Sequence, residues 1–243
     1  MDCILLSAGY ATRLYPLTEN MPKALLPLGK RTILDMVIEK VEQVKEIDNI
    51  YIVTNHRFAK HFEDWKNTYK GSKKIDVLDD GTTSNDNRLG AIGDMKFVID
   101  QKNITDEIVV LASDNIFDFN LSDMVKLSKE KNADVISAHY VEEIEMLRTM
   151  GVIELSDDFR VLSFEEKPQN PKSHFGVPAF YVYRKETIPL IDKYLAEGNN
   201  PDAPGHFVPW LITQTPVYAY TFTEMVLDIG LPKTYYEAQK MYE

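Results

Sequence analysis

Short apolar runs alternate with longer amphipathic stretches through the first half of the chain. Residues 3–7, 50–54, 75–78 and 108–112 are largely apolar, and each has the length of a buried strand. The last run, Ile-Val-Val-Leu-Ala, is apolar throughout, which is typical of the centre of a parallel sheet. The alternation predicts an α/β fold with a doubly wound, mostly parallel, Rossmann-like sheet.

The first predicted helix has a recognisable start. Thr32 and Asp35 are three residues apart before an apolar run, as in a capping box. Further helices are expected around Trp65 and over residues 90–100. The apolar face of the first helix is formed by Leu34, Val37, Ile38, Val41 and Val44, which recur at intervals of three and four residues.

The rhythm of the sequence changes after residue 133. Strands joined by turns are predicted, and we expect them to form a mixed β, substrate-binding insertion laid over the sheet. Helices are expected to resume near the C-terminal end. The predicted strands are 134–140, 151–155, 160–167 and 180–184, and the predicted helices are 185–195, 207–213 and 233–242.

Composition narrows the class of partner. The chain has 44% hydrophobic residues and a formal net charge of −11, so it can bury a core but is a poor non-specific binder of nucleic acid or anionic membrane. Its single cysteine, Cys3, excludes an intrachain disulfide. Because the sequence has neither a membrane-length apolar stretch nor a signal-peptide pattern, a cytoplasmic location is expected.

The first 31 residues are locally basic although the whole chain is acidic. Small residues such as Gly9 let a backbone approach phosphate oxygens closely, and Arg13 and Lys23 could bind them. From the residues alone, a solvated surface loop is an equally good interpretation. The charges are Arg13, Lys23, Lys30 and Arg31 against Asp2 and Glu19, which is four minus two, or +2.

Several common catalytic motifs are missing. The sequence has no GxxxxGK[ST], GxGxxG or GxSxG motif, which argues against a Walker loop, a dinucleotide fingerprint and a hydrolase elbow. His56 and His61 are five residues apart, which does not fit an HExxH zinc helix.

The span from Leu6 to Pro27 closely resembles the signature loop of the sugar-1-phosphate nucleotidylyltransferase family, written GxGTRLxPLTxxxPKxLLP. The family includes glucose-1-phosphate thymidylyl-, uridylyl- and cytidylyltransferases. It implies the nucleotide-diphospho-sugar transferase fold and Mg²⁺-dependent transfer of a nucleotidyl group. The residues in register are Gly9, Thr12, Arg13, Leu14, Pro16, Thr18, Pro22, Lys23 and Pro27.

The resemblance implies a nucleotide site in this loop and in a second turn. Ala11 stands where the family usually has glycine, and alanine can serve there if φ is negative. The second turn, residues 89–93, resembles the GTAGA-type turn that contacts the base, with Asn85 as the first candidate for reading the base and Asn87 as the second. The implied nucleotide-binding residues are Ala8, Gly9, Ala11, Thr12, Asn85, Asn87 and Gly90.

Two later segments imply the magnesium ligands. Residues 112–115 resemble the segment of the family that contains GDN, with Ser113 in place of glycine, and residues 227–232 resemble WxDIGTP, with Leu231 in place of threonine. The resemblance makes Asp114 and Asp228 ligands of Mg²⁺, a cation that favours carboxylate oxygens.

The acceptor site is implied by three further segments. Gly151 matches a glycine whose backbone meets the sugar. Glu166 and Lys167 match the EKP motif, in which the glutamate accepts sugar hydroxyls and the lysine binds the acceptor phosphate. Tyr181 lies in a strand that resembles GxYxY, with Ala179 in place of glycine.

Together these matches imply an enzyme that joins an NTP, expected to be a pyrimidine nucleotide, to a sugar 1-phosphate and releases pyrophosphate. Arg13, Lys23 and Lys167 are its expected catalytic cations. We expect one domain, with residues 1–133 as nucleotide-binding core and residues 134–243 carrying the sugar-phosphate part and the second metal ligand. Because the sequence ends soon after Asp228, a short form without a C-terminal extension is expected.

Two alternatives remain open from the sequence. A cytidylyltransferase acting on phosphocholine would need an aromatic cage, for which Tyr140, Phe175, Phe180, Tyr181 and Trp210 are candidates. The departures at Ala11, Ser113, Ala179 and Leu231 also allow a nucleotide-sugar-binding protein without turnover. The oligomeric state is open too, although homo-oligomers are common among soluble enzymes.

Overall fold

The apolar runs of the first half become strands of one large sheet in a computed structural model that describes residues 1–242. Ten strands belong to this sheet, and two short strand pairs lie outside it. The strands are β1 (Asp2–Ser7), β2 (Pro27–Leu28), β3 (Arg31–Thr32), β4 (Asn49–Thr54), β5 (Lys74–Asp79), β6 (Ile108–Ala112), β7 (Asn115–Phe117), β8 (Asp134–Tyr140), β9 (Gly151–Leu155), β10 (Val161–Glu166), β11 (Phe175–Val177), β12 (Phe180–Tyr183), β13 (Val217–Phe222) and β14 (Val226–Asp228).

The helices alternate with the strands as predicted, and the capping box is confirmed. Thr32 Oγ1 accepts from the amide of Asp35 at 3.1 Å, and Asp35 Oδ2 accepts from the amide of Thr32 at 2.7 Å. Within residues 1–242, no helix is long and apolar enough to cross a bilayer. The helices are α1 (Ile33–Glu42), α2 (Ala59–Lys66), α3 (Ala91–Lys102), α4 (Leu121–Lys131), α5 (Ile144–Leu147), α6 (Ile188–Ala196), α7 (Phe207–Leu211) and α8 (Pro232–Tyr242).

The first half of the sheet is parallel, in the order β5-β4-β1-β6. Ser7 at the end of β1 lies opposite Thr54 at the end of β4, and Leu6 lies opposite Ala112 at the end of β6. The carboxyl ends of these strands therefore meet at one edge, where ligands bind in open parallel sheets.

The second half extends the same sheet instead of lying over it. Strand β12 pairs antiparallel with β6 and with β8, and β11, β9 and β10 follow beyond. The expectation of a covering insertion is therefore wrong in placement, although the mixed strands are present. The physical reason is that β6 is buried, so the backbone groups on its second edge need partners, and β12 supplies them.

Helices cover both faces of the sheet, which confirms the doubly wound fold class. Strand β12 illustrates the division, since Phe180 packs in one core cluster and Tyr181 in the other. Helices α1, α2 and α4 pack on the Phe180 face, and α3, α6 and α7 pack on the Tyr181 face. Each face thus has its own apolar core.

A third, smaller core ties the first loop to the last segment of the chain. Leu14, Ile116 and Ile229 are buried in it together with Tyr235 of α8. The hydroxyl of Tyr235 also donates to the carbonyl oxygen of Pro27 at 2.8 Å. Because Leu14, Ile116 and Ile229 are close in sequence to Arg13, Asp114 and Asp228, this core positions the predicted site. Helices α4 and α5 and strands β2, β3, β7, β11, β13 and β14 were not predicted from the sequence.

Candidate active site

The loops after β1 and β6 are joined where these strands end. Ser7 Oγ donates to Ser113 Oγ at 2.6 Å, and Ser113 Oγ donates to the carbonyl oxygen of Leu6 at 2.9 Å. Ser113 is buried. The serine that departs from the family's glycine therefore joins two neighbouring strand ends through its hydroxyl, which a glycine could not do.

The first loop is anchored on both sides of its open centre. Asn55 is fully buried, and its Nδ2 donates to the carbonyl oxygen of Ala8 at 2.9 Å. Thr18 Oγ1 donates to the carbonyl oxygen of Ala11 at 2.8 Å. Between these anchors Gly9 is exposed, and a Cβ built on it would meet nothing within 4 Å. Its backbone thus faces open space, as a phosphate-binding loop requires.

Ala11 does not have the negative φ under which alanine was expected to replace glycine. Its φ is +47° and its ψ is +40°, which is the left-handed conformation. An L-residue with a Cβ is disfavoured there by about 1–2 kcal/mol. The conformation is held by two hydrogen bonds to the carbonyl oxygen of Ala11, from Thr18 Oγ1 at 2.8 Å and from the amide of Leu14 at 2.9 Å.

A strand pair brings the two predicted metal ligands together. Strand β7 begins directly after Asp114 and pairs antiparallel with β14, which ends at Asp228 and places it opposite Asn115. The ammonium of Lys23 lies between the two carboxylates, 2.6 Å from Asp114 Oδ2 and 3.6 Å from Asp228 Oδ1. Three residues from distant parts of the sequence therefore form one ion-pair cluster.

The ion-pair cluster affects the pKa of Asp228. Although the Asp228 side chain is 68% exposed, the protein atoms around the cluster raise its pKa above the ordinary aspartate value by desolvation, and the nearby Asp114 carboxylate raises it further. Lys23 and Arg13 act in the opposite direction. The Arg13 side chain itself is exposed. Arg13 is therefore close enough to act on Asp228 electrostatically while remaining accessible to a phosphate.

These side chains are the donors available to a cation. Within the described part of the chain, no group of three or more His, Cys, Asp or Glu side chains converges. Asp114 and Asp228 form a pair of carboxylates, with side chains 30% and 68% exposed. Such a pair suits Mg²⁺, which keeps several waters and uses one or two carboxylates with substrate phosphates.

The two asparagines of the turn predicted to read the base have different surroundings. Residues Asn85–Asn87 form one turn of 3₁₀ helix. Asn87 Oδ1 accepts from the amides of Thr83 and Ser84 at 3.2 and 3.0 Å, so this side chain stabilises the turn. Asn85 is exposed and lines a cleft of ≈ 480 Å³. The geometry therefore favours Asn85 over Asn87 as the residue that faces a ligand.

The start of α3 is closed by a distant segment of the chain. Gly90 has a φ of +80°, and a Cβ on it would lie 2.5 Å from the carbonyl oxygen of Pro201. The amides of Ala91 and Ile92 donate to the carbonyl oxygens of Asp202 and Pro201 at 3.0 and 2.9 Å. These amides are therefore satisfied within the protein, and Gly90 is required by the close approach of the two segments.

The predicted acceptor residues meet across the β9–β10 pair. Gly151 lies opposite Glu166, and a Cβ on Gly151 would lie 2.3 Å from Cζ of Phe164. Lys167 has a φ of +48°, and its amide donates to the carbonyl oxygen of Met150 at 3.1 Å. Its ammonium is 3.5 Å from Glu166 Oε1, and the Lys167 side chain is 63% exposed. The lysine is thus free to reach an anionic ligand.

Tyr181 differs from the other predicted site residues in its burial. It is 2% exposed, and its ring stacks on Tyr183 at 5.6 Å between centroids. Burial raises the pKa of its phenol, and the nearby Glu166 raises it further. Tyr181 is therefore a core residue behind Glu166, and a direct contact with substrate stays a prediction.

Segment 200–206 was not predicted to be part of the site. Pro201 and Asp202 contact the base turn, while a Cβ on Gly205 would lie 2.9 Å from Cζ of Phe164 and 3.1 Å from Glu166 Oε2. One segment therefore runs from the predicted base turn to the predicted sugar contacts. The available signal was its composition, Asn-Asn-Pro-Asp-Ala-Pro-Gly over residues 199–205, which is dense in turn-forming residues.

The five aromatic residues proposed for a choline cage do not form one group, although Tyr140 and Phe175 pack edge to face at 5.8 Å between centroids. Phe180 packs against Phe117 and Phe119 in one core cluster, and Tyr181 packs in the other. Tyr140 is exposed and stacks on His174. Because neighbouring residues of β12 face opposite sides of the sheet, Phe180 and Tyr181 cannot line one cage.

Comparison with known proteins identifies relatives of this chain. The sequence profile of the family described as nucleotidyl transferase matches residues 2–243. The bifunctional protein GlmU of Methanocaldococcus jannaschii is 30% identical over 241 residues, covering 99% of this chain and 54% of that protein. The UTP–glucose-1-phosphate uridylyltransferase of Synechocystis sp. is 26% identical over 252 residues, covering 98% of this chain and 62% of that protein. The chain thus spans 54–62% of the length of these two curated relatives.

Solved structures give the same fold. A crystal structure of UDP-glucose pyrophosphorylase complexed with UDP-glucose superposes with a TM-score of 0.83, covering 99% of this chain and 97% of that chain. The two sequences are 19% identical, so the likeness establishes the nucleotide-diphospho-sugar transferase fold that the sequence predicted.

Proposed function

The chain belongs to the nucleotidyl transferase family, and from that premise we propose that it transfers a nucleotidyl group from an NTP to a sugar 1-phosphate. The products are an NDP-sugar and pyrophosphate. The observation that carries the proposal is the cluster in which the ammonium of Lys23 lies 2.6 Å from Asp114 and 3.6 Å from Asp228. In this cluster two carboxylates lie beside the loop that holds Arg13, at the edge of the sheet where ligands bind in open parallel sheets, which supports a cation site there.

The proposed reaction needs no strong general base. An oxygen of the acceptor phosphate attacks the α-phosphorus of the NTP, a new P–O bond forms, and the bond from the α-phosphorus to the bridging oxygen of pyrophosphate breaks. The phosphate monoester is already a nucleophile, so catalysis consists of positioning and neutralisation of charge.

The cations of the first loop have separate roles in this proposal. Lys23 contacts the α-phosphate, and the exposed Arg13 guanidinium receives the departing pyrophosphate with its planar donor fork. The amides near Ala8, Gly9, Ala11 and Thr12 line the triphosphate. The open space above Gly9 supports this assignment.

The acceptor is assigned to the β9–β10 side of the cleft. Lys167 holds the acceptor phosphate, and Glu166 accepts hydroxyl groups of the sugar. The exposed ammonium of Lys167 and the partly buried carboxylate of Glu166 beside Gly205 support these roles. Gly151 leaves room for Phe164 beneath the sugar.

Asp114 and Asp228 would hold Mg²⁺, and their spacing around an existing cation, Lys23, supports that fit. When bound, Mg²⁺ supplies positive charge to the α-phosphate and the attacking phosphate. The two carboxylates would hold the cation, and the Lys23 ammonium would contact the α-phosphate.

The proposed nucleotide is a pyrimidine NTP. The relatives differ in the nucleotide they are named for, since the Synechocystis protein is named for UTP and others are named mannose-1-phosphate guanyltransferase and glucose-1-phosphate adenylyltransferase, so the choice of base rests on Asn85. The exposed amide of Asn85 can donate to and accept from the edge of a pyrimidine. Phe180 and Tyr181 lie on opposite faces of the sheet, so the five aromatic candidates give a choline headgroup no common cage, and a sugar phosphate is favoured.

Pyrophosphate release with Mg²⁺ tests the proposal. ATP, GTP, CTP, UTP and dTTP are crossed with glucose 1-phosphate, other hexose 1-phosphates and phosphocholine, with Asp114→Asn as the control. Release confined to a pyrimidine NTP and a sugar 1-phosphate is the expected result. Release only with CTP and phosphocholine, or binding of an NDP-sugar without any release, would overturn it.

A further inference from the structure

One guanidinium joins the turn of the predicted base site to a segment more than a hundred residues away in sequence. Arg88 Nε donates to Asp202 Oδ1 at 2.8 Å. Arg88 Nη1 donates to the backbone carbonyl oxygen of Asn85 at 3.3 Å. The planar fork of Arg88 thus holds the residue that faces the cleft and a carboxylate across from it at the same time.

The turn has few other supports. Residues 83–89 are all exposed, and the Asn87 amide bonds only within the turn, to Thr83 and Ser84. The chain is anchored on both sides of this turn. Before it, Thr82 is buried and its carbonyl oxygen accepts from the amide of His56 at 2.9 Å, and after it, the carbonyl oxygens of Pro201 and Asp202 receive the first amides of α3. Between these anchors, Arg88 is the side chain that joins Asn85 to the segment of Asp202.

The other end of the link is fixed. The amide of Asp202 donates to Asn200 Oδ1 at 3.0 Å, and the carbonyl oxygen of Asn200 accepts from the hydroxyl of Tyr194 at 2.8 Å. Tyr194 is buried in the core. Asp202 thus presents its carboxylate from a segment that is tied to the body of the protein.

The ion pair also lies in the wall of the cleft. The ≈ 480 Å³ cleft is bounded on one side by the turn and on the other by the segment around Asp202. A base that entered it would meet the side chain of Asn85 and the outer nitrogen of Arg88 together. The lining residues are Asn85, Asp86, Arg88, Leu89, Gly90, Asn200, Pro201 and Asp202.

We propose that Arg88, held by Asp202, is the positioning residue for selection of the nucleobase. It fixes the backbone of Asn85 so that the Asn85 amide meets the edge of the base in one orientation. The inference rests on the proposed function, since it takes the cleft to be the base site. A lysine could keep the ion pair but lacks the planar fork that reaches both partners.

The two contacts of Arg88 predict a change in binding without a change in stability. Exposed ion pairs contribute little to folding, so Arg88→Ala should melt within about a degree of the wild type. A hydrogen bond to a charged group matters more when it orients a ligand contact, and we expect about a tenfold loss in affinity for the preferred NTP. Affinity for the other NTPs should fall less, so the preference for one NTP over the others should decrease.

The experiment measures the dissociation constants of ATP, GTP, CTP, UTP and dTTP by calorimetry with Mg²⁺ and without a sugar phosphate. Wild type, Arg88→Ala, Arg88→Lys, Asp202→Ala and the double Ala variant are compared. The matched control is Lys96→Ala, which removes an ion pair of 3.0 Å between Lys96 and Asp192 that also involves α3 but lies outside the cleft. Turnover is measured separately, as KM for NTP and kcat.

The proposal expects a raised KM for NTP at unchanged kcat, reduced selectivity in Arg88→Ala and Asp202→Ala, and non-additive losses in the double variant. Arg88→Lys should recover part of the affinity and little of the selectivity. Unchanged selectivity in Arg88→Ala, or the same losses in Lys96→Ala, would overturn it. If the wild type binds NTP selectively through Arg88 yet transfers no nucleotide, the proposed function fails while this inference stands.

Discussion

The ammonium nitrogen of Lys23 lies 2.6 Å from Oδ2 of Asp114, at the end of the central strand β6. Lys23 is 14% exposed, so this contact is largely shielded from solvent. The same nitrogen is 3.6 Å from Asp228. A protein that gathers two carboxylates needs a cation to balance them, and without metal Lys23 provides that charge.

Replacing Lys23 should therefore change how the protein responds to metal. In Lys23→Gln the carboxylates of Asp114 and Asp228 repel each other, so the melting temperature in EDTA should fall by a few degrees, on the order of 1 kcal/mol. Mg²⁺ should raise the melting temperature of the variant more than that of the wild type, because no ammonium competes. Thermal melts with EDTA and with Mg²⁺ measure both effects. Lys233→Gln, on the exposed face of α8, is the control, and equal responses in all three proteins would contradict the prediction.

Asp114→Asn should reduce turnover far more than stability. Asparagine keeps the size and shape of the side chain, and Lys23 retains Asp228 as a charged partner at 3.6 Å, so the fold loses little, whereas charge stabilisation at the α-phosphate would be lost. We expect kcat to fall by about a hundredfold or more with a melting temperature close to the wild type. Asp118→Asn, whose exposed carboxylate lies 3.7 Å from Lys40, is the nearby control. A variant that loses its cooperative melting transition would show that the residue serves the fold instead.

Lys167→Ala should weaken use of the acceptor selectively. Its exposed ammonium is available to the acceptor phosphate, and its ion-pair partner within residues 1–242 is Glu166, at 3.5 Å. We expect the KM for sugar 1-phosphate to rise about tenfold or more while the KM for NTP stays within about twofold. Initial rates with each substrate varied in turn measure this difference. Lys172→Ala removes a nearby exposed lysine that pairs with Glu165, and an equal effect there would point to general charge instead of a specific contact.

Ala11→Gly should relieve the left-handed conformation in the first loop. The gain in the free energy of unfolding is expected to be up to about 1 kcal/mol, since strain falls while the unfolded chain gains freedom. Ala196→Gly, at the end of helix α6, has no positive φ to relieve and should lose about 0.5–1 kcal/mol. Urea unfolding monitored by circular dichroism gives both values, and a loss at Ala11 as large as that at Ala196 would contradict the prediction.

Asp94 should make stability depend on pH. It is 5% exposed in α3, and its Oδ1 has no hydrogen-bond partner. Burial raises its pKa to about 8, and the neighbouring Asp80 carboxylate adds to the shift. The folded protein therefore holds a proton that the unfolded chain releases near pH 4, so stability contributed by this group falls as the pH rises from about 4 to about 8 and is level above that.

The variant Asp94→Asn removes this proton. It should be more stable than the wild type at pH 8 by about 1–3 kcal/mol and should lose that part of the pH dependence. Urea unfolding at pH 5, 6.5 and 8 measures the slope for each protein. Asp100→Asn, on the exposed side of the same helix, should keep the wild-type slope. Parallel pH profiles for wild type and Asp94→Asn would refute the assignment.

The fold class could be predicted because its determinants are local. The apolar run of residues 108–112 and the alternation around it require strands and helices of set length, and the capping residues Thr32 and Asp35 mark a helix start regardless of what packs on it. Strands β7 and β14 could not be predicted in this way. Each has only three residues, too few for a period, and each exists because it pairs with the other.

The candidate site divides along the same line. The site residues themselves could be selected from the amino-acid sequence alone. They are the small residues and cations of the first loop, the aspartates that follow apolar runs, and the Glu166–Lys167 pair. Their identities match a motif written along the chain, so no coordinates were needed to select them.

The spatial arrangement of these residues depends on the tertiary structure. The β7–β14 pairing brings Asp228 to Asp114, the third core fixes the loop that carries Lys23 between them, and segment 200–206 joins the base turn to Glu166. It also put Ala11 at a positive φ and Tyr181 in the core. These outcomes depend on which strand edges and side chains approach each other across long sequence separations, and local periodicity carries no information about that.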